Sequence, residues 1–160
     1  YEFSSSRSQS FMENVCDRTS LILTHVSCMP GTGFADVRSI LEFAADHPGT
    51  NFVLAHLAGI FQNSLYPYFP NLRGAEAVSD FGCENVYVDT AHYLMYVYPG
   101  VMENVVDLIG AEHLVFGTDC PLQGPQQMRF ALEIIRELNI SQTDRDAILF
   151  RNAQALIKKG

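Results

Sequence analysis

The 160 residues are 48% apolar and 18% charged, a balance that supports a packed core and excludes general disorder. A net charge of −8, with ten scattered Lys and Arg, argues against a nucleic-acid or anionic-membrane surface, since both partners need clustered cations. The four cysteines (Cys16, Cys28, Cys83 and Cys120) form no C-x-x-C pair, which suits a reducing, cytoplasmic setting better than a zinc knuckle or disulfide scaffold. No apolar run reaches the ~18 residues of a membrane helix.

The chain opens on a polar stretch rich in serine (Ser4, Ser5, Ser6, Ser8 and Ser10), read as a flexible terminus or the edge of something longer, with one helix over about Ser8–Asp17. Four apolar runs then read as buried strands, each ending on a polar residue: 21–25 to His25, 52–56 to His56, 86–89 to Asp89 and 114–119 to Asp119. The intervals between those ends are 31, 33 and 30 residues, the length of a strand, a crossover helix and the next parallel strand.

The intervening segments carry helical stripes. Val37, Ile40, Leu41 and Ala44 share one face and stop at His47-Pro48-Gly49. Segment 60–84 is expected to be a long loop interrupted by Pro67, Pro70 and Gly74, then a short helix near Glu76–Phe81. Its aromatics Tyr66, Tyr68 and Phe69 are read first as packing and second as a pocket wall. Val101, Val105, Leu108 and Ile109 form the next stripe, ended by Gly110, and Pro125 starts another with Met128, Leu132 and Ile135. Ser141 and Asp144 make a capping box for a closing helix bearing Ile148, Leu149, Leu156 and Ile157.

Repeated βα units define a parallel α/β protein whose active-site face is the carboxyl end of the strands. Periodicity alone leaves an open doubly wound sheet and a barrel equally available, although no Gly-rich phosphate loop follows any strand. His25, His56 and Asp119 at equivalent strand tips would converge on one site. Neutral imidazole and carboxylate suit Zn²⁺ and several other divalent ions, which can activate water or polarise a carbonyl. His92, just past the third strand, is a solvated loop residue or a substrate contact. His47 suits a helix end, His113 precedes the fourth strand on the far face, and Cys120 is read as a small buried thiol.

The pieces THVS (24–27), FVLAHLAG (52–59), VYVDTA (86–91) and LVFGTDCP (114–121) resemble the second half of an amidohydrolase-superfamily protein. They are most similar to the amidohydrolase-related branch that includes aminocarboxymuconate-semialdehyde decarboxylase. The closing ILFRNAQALIKK (148–159) resembles that family's C-terminal helix. The resemblance implies the C-terminal half of a TIM-type (β/α)₈ barrel over residues 1–160, with the four strands as barrel strands 5 to 8. It implies His25 and Asp119 as ligands of one divalent metal, Zn²⁺ first, and His56 and Asp119 in proton transfer. Asp89 stands where the family often carries an acid without fixed role; it is read first as a structural acceptor inside the sheet and second, with His92, as a substrate-binding candidate. The implied activity is hydrolysis or non-oxidative decarboxylation of a small carboxylate or cyclic substrate.

The family's first-strand H-x-H-like pair has no counterpart here, nor do four earlier βα units. The chain is therefore expected to be a piece of a longer barrel with the family's C-terminus, weak in metal binding and inactive alone. Two rival readings stand beside it: a half-barrel that dimerises with a second copy, catalytic or not, and a small-ligand-binding α/β domain.

Overall fold

A computed structural model describes residues 2–26, 36–59, 72–91 and 100–158. In chain order these form α1 (Ser6–Cys16), β1 (Leu21–Thr24), α2 (Val37–Asp46), β2 (Asn51–Leu54), α3 (Arg73–Phe81), β3 (Val86–Asp89), α4 (Val101–Ile109), β4 (Leu114–Val115), α5 (Pro125–Glu137), α6 (Gln142–Asp146) and α7 (Asn152–Lys158). A 3₁₀ turn (Ala111–His113) leads into β4, and a π turn (Ala147–Arg151) joins α6 to α7.

The strands form one parallel sheet in the order β1-β2-β3-β4. Strand side chains alternate between faces, and Ile22, Phe52, Leu54, Val86, Val88 and Leu114 occupy the helix-covered face, all buried. Ile40, Leu41 and Ala44 of α2, Val78 of α3, Met102 and Val105 of α4, and Ile135 of α5 complete that core. The opposite face carries Leu23, Val53 and Tyr87 in lateral register across three strands. Leu23 is 68% exposed there, while its neighbour Ile22 is 9% exposed.

The serine-rich start is ordered helix rather than a flexible terminus. Ser5 caps α1 by accepting from the Ser8 amide, and Ser8 is buried with its hydroxyl 2.8 Å from that of Ser5. Asp36 caps α2 in the same way through the Arg38 amide. His47 ends α2 with Nδ1 2.8 Å from the Phe43 carbonyl and its ring stacked on Phe43.

Several boundaries differ from the sequence expectation, three of them with a visible cause. α3 begins at Arg73, so Gly74 lies within a helix. A Cβ there would stand 1.8 Å from the Ala58 carbonyl oxygen, so this glycine lets the helix start press against the chain leaving β2. β4 has two residues because Phe116 gives its amide to the Ile148 carbonyl, and Gly117 bonds a side chain, Thr90, in place of a ladder partner. The closing helix is split by the π turn, whose i→i+5 bonding shifts the buried face. Ile148 and Leu156 are buried and Ile157 is 71% exposed.

Candidate functional site

His25, His56, Asp89 and Asp119 stand at or just past the carboxyl ends of β1, β2, β3 and β4, which is where parallel α/β folds build their sites. The structure brings the two histidines into contact. His56 Nε2 is 3.0 Å from His25 Nδ1, and the rings meet edge to face with centroids 4.8 Å apart. His56 Nδ1 lies 3.3 Å from the Ala91 carbonyl oxygen. A carbonyl only accepts, so Nδ1 carries the proton and Nε2 of the neutral ring accepts from the Nδ1–H of His25. That order leaves Nε2 as the unprotonated ring nitrogen of His25, the form of imidazole that ligates metals.

Backbone geometry aims these groups. His56, Leu57 and Ala58 have φ values of 64°, 53° and 50°, and Asp119 has 57°. Left-handed backbone costs a non-glycine residue roughly 1–2 kcal/mol, so three in succession need outside support. Asp89 supplies it. Its Oδ1 accepts from the amides of His56 and Ala91, each at 2.9 Å, and its main-chain carbonyl accepts from Leu57 at 2.8 Å. At Asp119 the carbonyl accepts from the Leu122 amide, closing a turn.

Burial, then the charge of His56, hold the His25 imidazole below its ordinary range, and Asp119 pulls the other way. Burial raises Asp89 above the usual carboxylate range, with Asp119 adding to the rise and the His56 and Ala91 amides opposing it. Asp119 is half-buried. Its charge acts on Asp89 at the adjoining β3 tip and on His25 at the β1 tip. Among the described residues, no three His, Cys, Asp or Glu side chains are gathered closely enough to hold an ion by themselves. The donors present suit a divalent ion as part of a set: one imidazole with an unprotonated Nε2 and one carboxylate acting on it.

His92 and the aromatic cluster at 66–69 lie outside the described residues. His113 is far from the site, its Nδ1 2.7 Å from the Val86 carbonyl. Cys120 is exposed rather than buried, because the left-handed turn at Asp119 turns the chain outward and leaves Cys120, Pro121 and Leu122 at the surface. Cys16, Cys83 and Cys120 are free thiols. Thr90, which sequence reasoning passed over, is fully buried; its hydroxyl accepts from the Gly117 amide at 3.1 Å and donates to the Gly117 carbonyl at 3.2 Å. A lone threonine after a strand gives no sequence signal for such a contact.

The parallel β/α sheet has the architecture of one half of a (β/α)₈ barrel, with histidine and aspartate residues at its strand tips. Residues 24–159 match the amidohydrolase family model, and the chain belongs to that family. A comparison with curated proteins gives no significant match. Among solved structures, a dihydroxybenzoic acid decarboxylase from Polaromonas with bound manganese and 2-nitroresorcinol is similar at 18% identity and a TM-score of 0.66, covering 98% of this chain and 55% of that one. An amidohydrolase from Burkholderia multivorans with bound zinc is similar at 13% identity and a TM-score of 0.67, covering 96% and 58%. An uncharacterised TIM-barrel protein from Bordetella bronchiseptica is similar at 18% identity and a TM-score of 0.69, covering 99% and 53%. At these identities the likeness is one of fold, and the chain spans a little over half the length of the structures it matches. Among the described residues, no helix is long and apolar enough to cross a membrane.

Proposed function

We propose that the protein is a metal-dependent hydrolase or non-oxidative decarboxylase acting on a small carboxylate or cyclic substrate. The observation that carries this reading is the ordered pair of imidazoles, His56 behind His25, with the charge of Asp119 acting on His25. His25, through Nε2, and Asp119 would hold one divalent ion, Zn²⁺ by preference, although similar structures carry manganese as well as zinc. When bound, such an ion lowers the pKa of coordinated water toward neutrality or polarises a substrate oxygen.

The chain's own groups handle the proton. His56 is fixed in one tautomer by the Ala91 carbonyl, so its basic nitrogen is Nε2, and it would take up or return a proton through the hydrogen bond it accepts from His25. Asp119 offers a half-buried carboxylate that can accept a second one. Asp89 has one carboxylate oxygen committed to two amides, which favours a supporting role over the substrate contact its strand position suggests.

Isothermal titration of the metal-free chain with Zn²⁺ and with Mn²⁺ tests the reading. A weak saturable site, with Kd of micromolar or above, is expected, and His25→Ala and Asp119→Asn should each abolish it. Heats unchanged by both substitutions would sink it. A single site tighter than ~10 nM, near −11 kcal/mol, would instead show that the ligand set is complete without any first-strand pair.

A second reading, a half-barrel closed by a second copy, is favoured by the exposed apolar Leu23 and by strand edges of β1 and β4 that pair with no other described strand.

A further inference from the structure

We infer that the dipeptide Asp89-Thr90 is the positioning element of the site, fixing His56 from one side and Asp119 from the other. Asp89 is the last residue of β3 and Thr90 the next; Asp89 bonds the tip of β2, and Thr90 bonds the chain leaving β4. Asp89 is buried and takes the amides of His56 and Ala91 on a single carboxylate oxygen at 2.9 Å each. Charge-assisted bonds of this kind are about twice as strong as neutral ones. One of the two falls on His56, the first of three consecutive non-glycine residues in left-handed backbone, where unsupported chain would relax to another conformation. Ala91, held by the same oxygen, presents the carbonyl that fixes the His56 tautomer. One carboxylate thus sets both the direction and the protonation pattern of His56.

Thr90 does the equivalent on the β4 side. Its amide donates to the Val115 carbonyl at 3.0 Å, and its hydroxyl bridges both polar groups of Gly117, two residues before Asp119. Gly117 packs directly against the same pair: a Cβ there would lie 3.4 Å from the Asp89 Cβ and Cγ and 3.3 Å from the Ala91 Cβ. Both arms therefore share one packed junction. Neither residue needs to touch a substrate to matter.

The functional consequence rests on His56 and Asp119 being the working groups, but the geometry can be tested without turnover or metal. The probe is the full chain carrying ¹⁵N-histidine and ¹³C-aspartate, compared by NMR with Asp89→Asn, Thr90→Val and Thr90→Ser. In Asp89→Asn the acceptor oxygen is kept and the charge lost, so the His56 amide proton should move upfield and the His56 ring nitrogens should shift. His47 and His113 should stay at their wild-type positions. In Thr90→Val both bonds to Gly117 go, and Gly117 amide protection should fall at least tenfold with a shifted Asp119 carboxyl resonance; Thr90→Ser should restore both. A purely structural role would lower the melting temperature and leave the His56 ring and Asp119 carboxyl resonances in place, and that result overturns the inference. If Asp89→Asn does not fold, the Thr90 pair decides between the same two outcomes. Loss of metal binding with these resonances unmoved would count against the positioning role, whereas moved resonances without any metal binding would leave it standing and count against the proposed chemistry.

Discussion

His56 points Nε2 at the Nδ1 of His25, 3.0 Å away, with His56 anchored through its other nitrogen to the Ala91 carbonyl. Burial disfavours charging His25, and in so short a pair a second positive charge beside the first adds to the cost. Its folded pKa is therefore below the ~6.5 of an unfolded chain. The sign follows from linkage: the unfolded state binds the proton more readily, so the His25 contribution to stability is complete above the unfolded pKa. It is lost as pH falls through that value toward the folded one. The metal-free protein should melt at progressively lower temperature between about pH 7.5 and 5, and His25→Gln should flatten that part of the profile. A wild-type and variant difference that stays constant over this range contradicts the prediction, as does a His25 titration at or above the unfolded value.

Gly74 supports the turn that carries His56. A methyl at this position would meet the Ala58 carbonyl oxygen at 1.8 Å and its carbon at 2.8 Å, with rigid backbone on both sides. Overpacking of this kind costs about 1–3 kcal/mol or more. Gly74→Ala should lower stability by at least ~2 kcal/mol and disturb the His25–His56 pair, because Ala58 is the last of the three left-handed residues. Gly49→Ala, with nothing within 4 Å of the added carbon, is the control and should stay within ~0.5 kcal/mol. Urea melts of the two variants give the comparison.

Asn85 ties the end of α2 to the start of β2. Its side-chain amide points at the carbonyls of Ala44, His47 and Thr50, at 3.0, 3.1 and 2.8 Å. Removing the donor leaves those part-buried acceptors short of a partner, at a cost of about 1–3 kcal/mol. Asn85→Ala should fall in that range. Asn85→Asp should be worse at neutral pH, since it turns an acceptor's charge onto three carbonyl oxygens, and should recover as pH falls, with the carboxyl protonating above the ordinary ~3.9 because its surroundings disfavour the charge. Equal stability of the two variants at pH 7 would show that the amide is not the tie.

The strands were legible because each begins as an apolar run whose helix-facing residues are buried, and the polar residues that end those runs lie at or past the strand tips. What escaped reading depends on contacts between distant segments. The two-residue β4 arises because Phe116 and Gly117 bond to Ile148 and Thr90, partners 32 and 27 positions away in sequence. The left-handed run at 56–58 has no glycine to announce it; its support is a carboxylate on the next strand. The π turn at 147–151 sits in a sequence of ordinary helix formers, and only its packing against β4 distinguishes it. At the site, the strand-tip residues could be named in advance, whereas the pairing of His25 with His56 and the part taken by Asp89 and Thr90 required side-chain positions.

Leu23 gives the most direct test of whether the open sheet is completed by a second copy. It lies in register with Val53 on the face turned away from the helices and is 68% exposed, so in a monomer Leu23→Lys removes little packing. The substitution should change monomer stability by no more than ~0.5 kcal/mol. In a closed dimer the same position would face the barrel interior, where an unpaired ammonium carries a penalty of several kcal/mol. Sedimentation velocity over a hundredfold concentration range separates the cases. Under the half-barrel pairing, the wild type sediments as a dimer and Leu23→Lys as a monomer with unchanged far-ultraviolet circular dichroism. A wild type that stays monomeric throughout removes the second-copy reading.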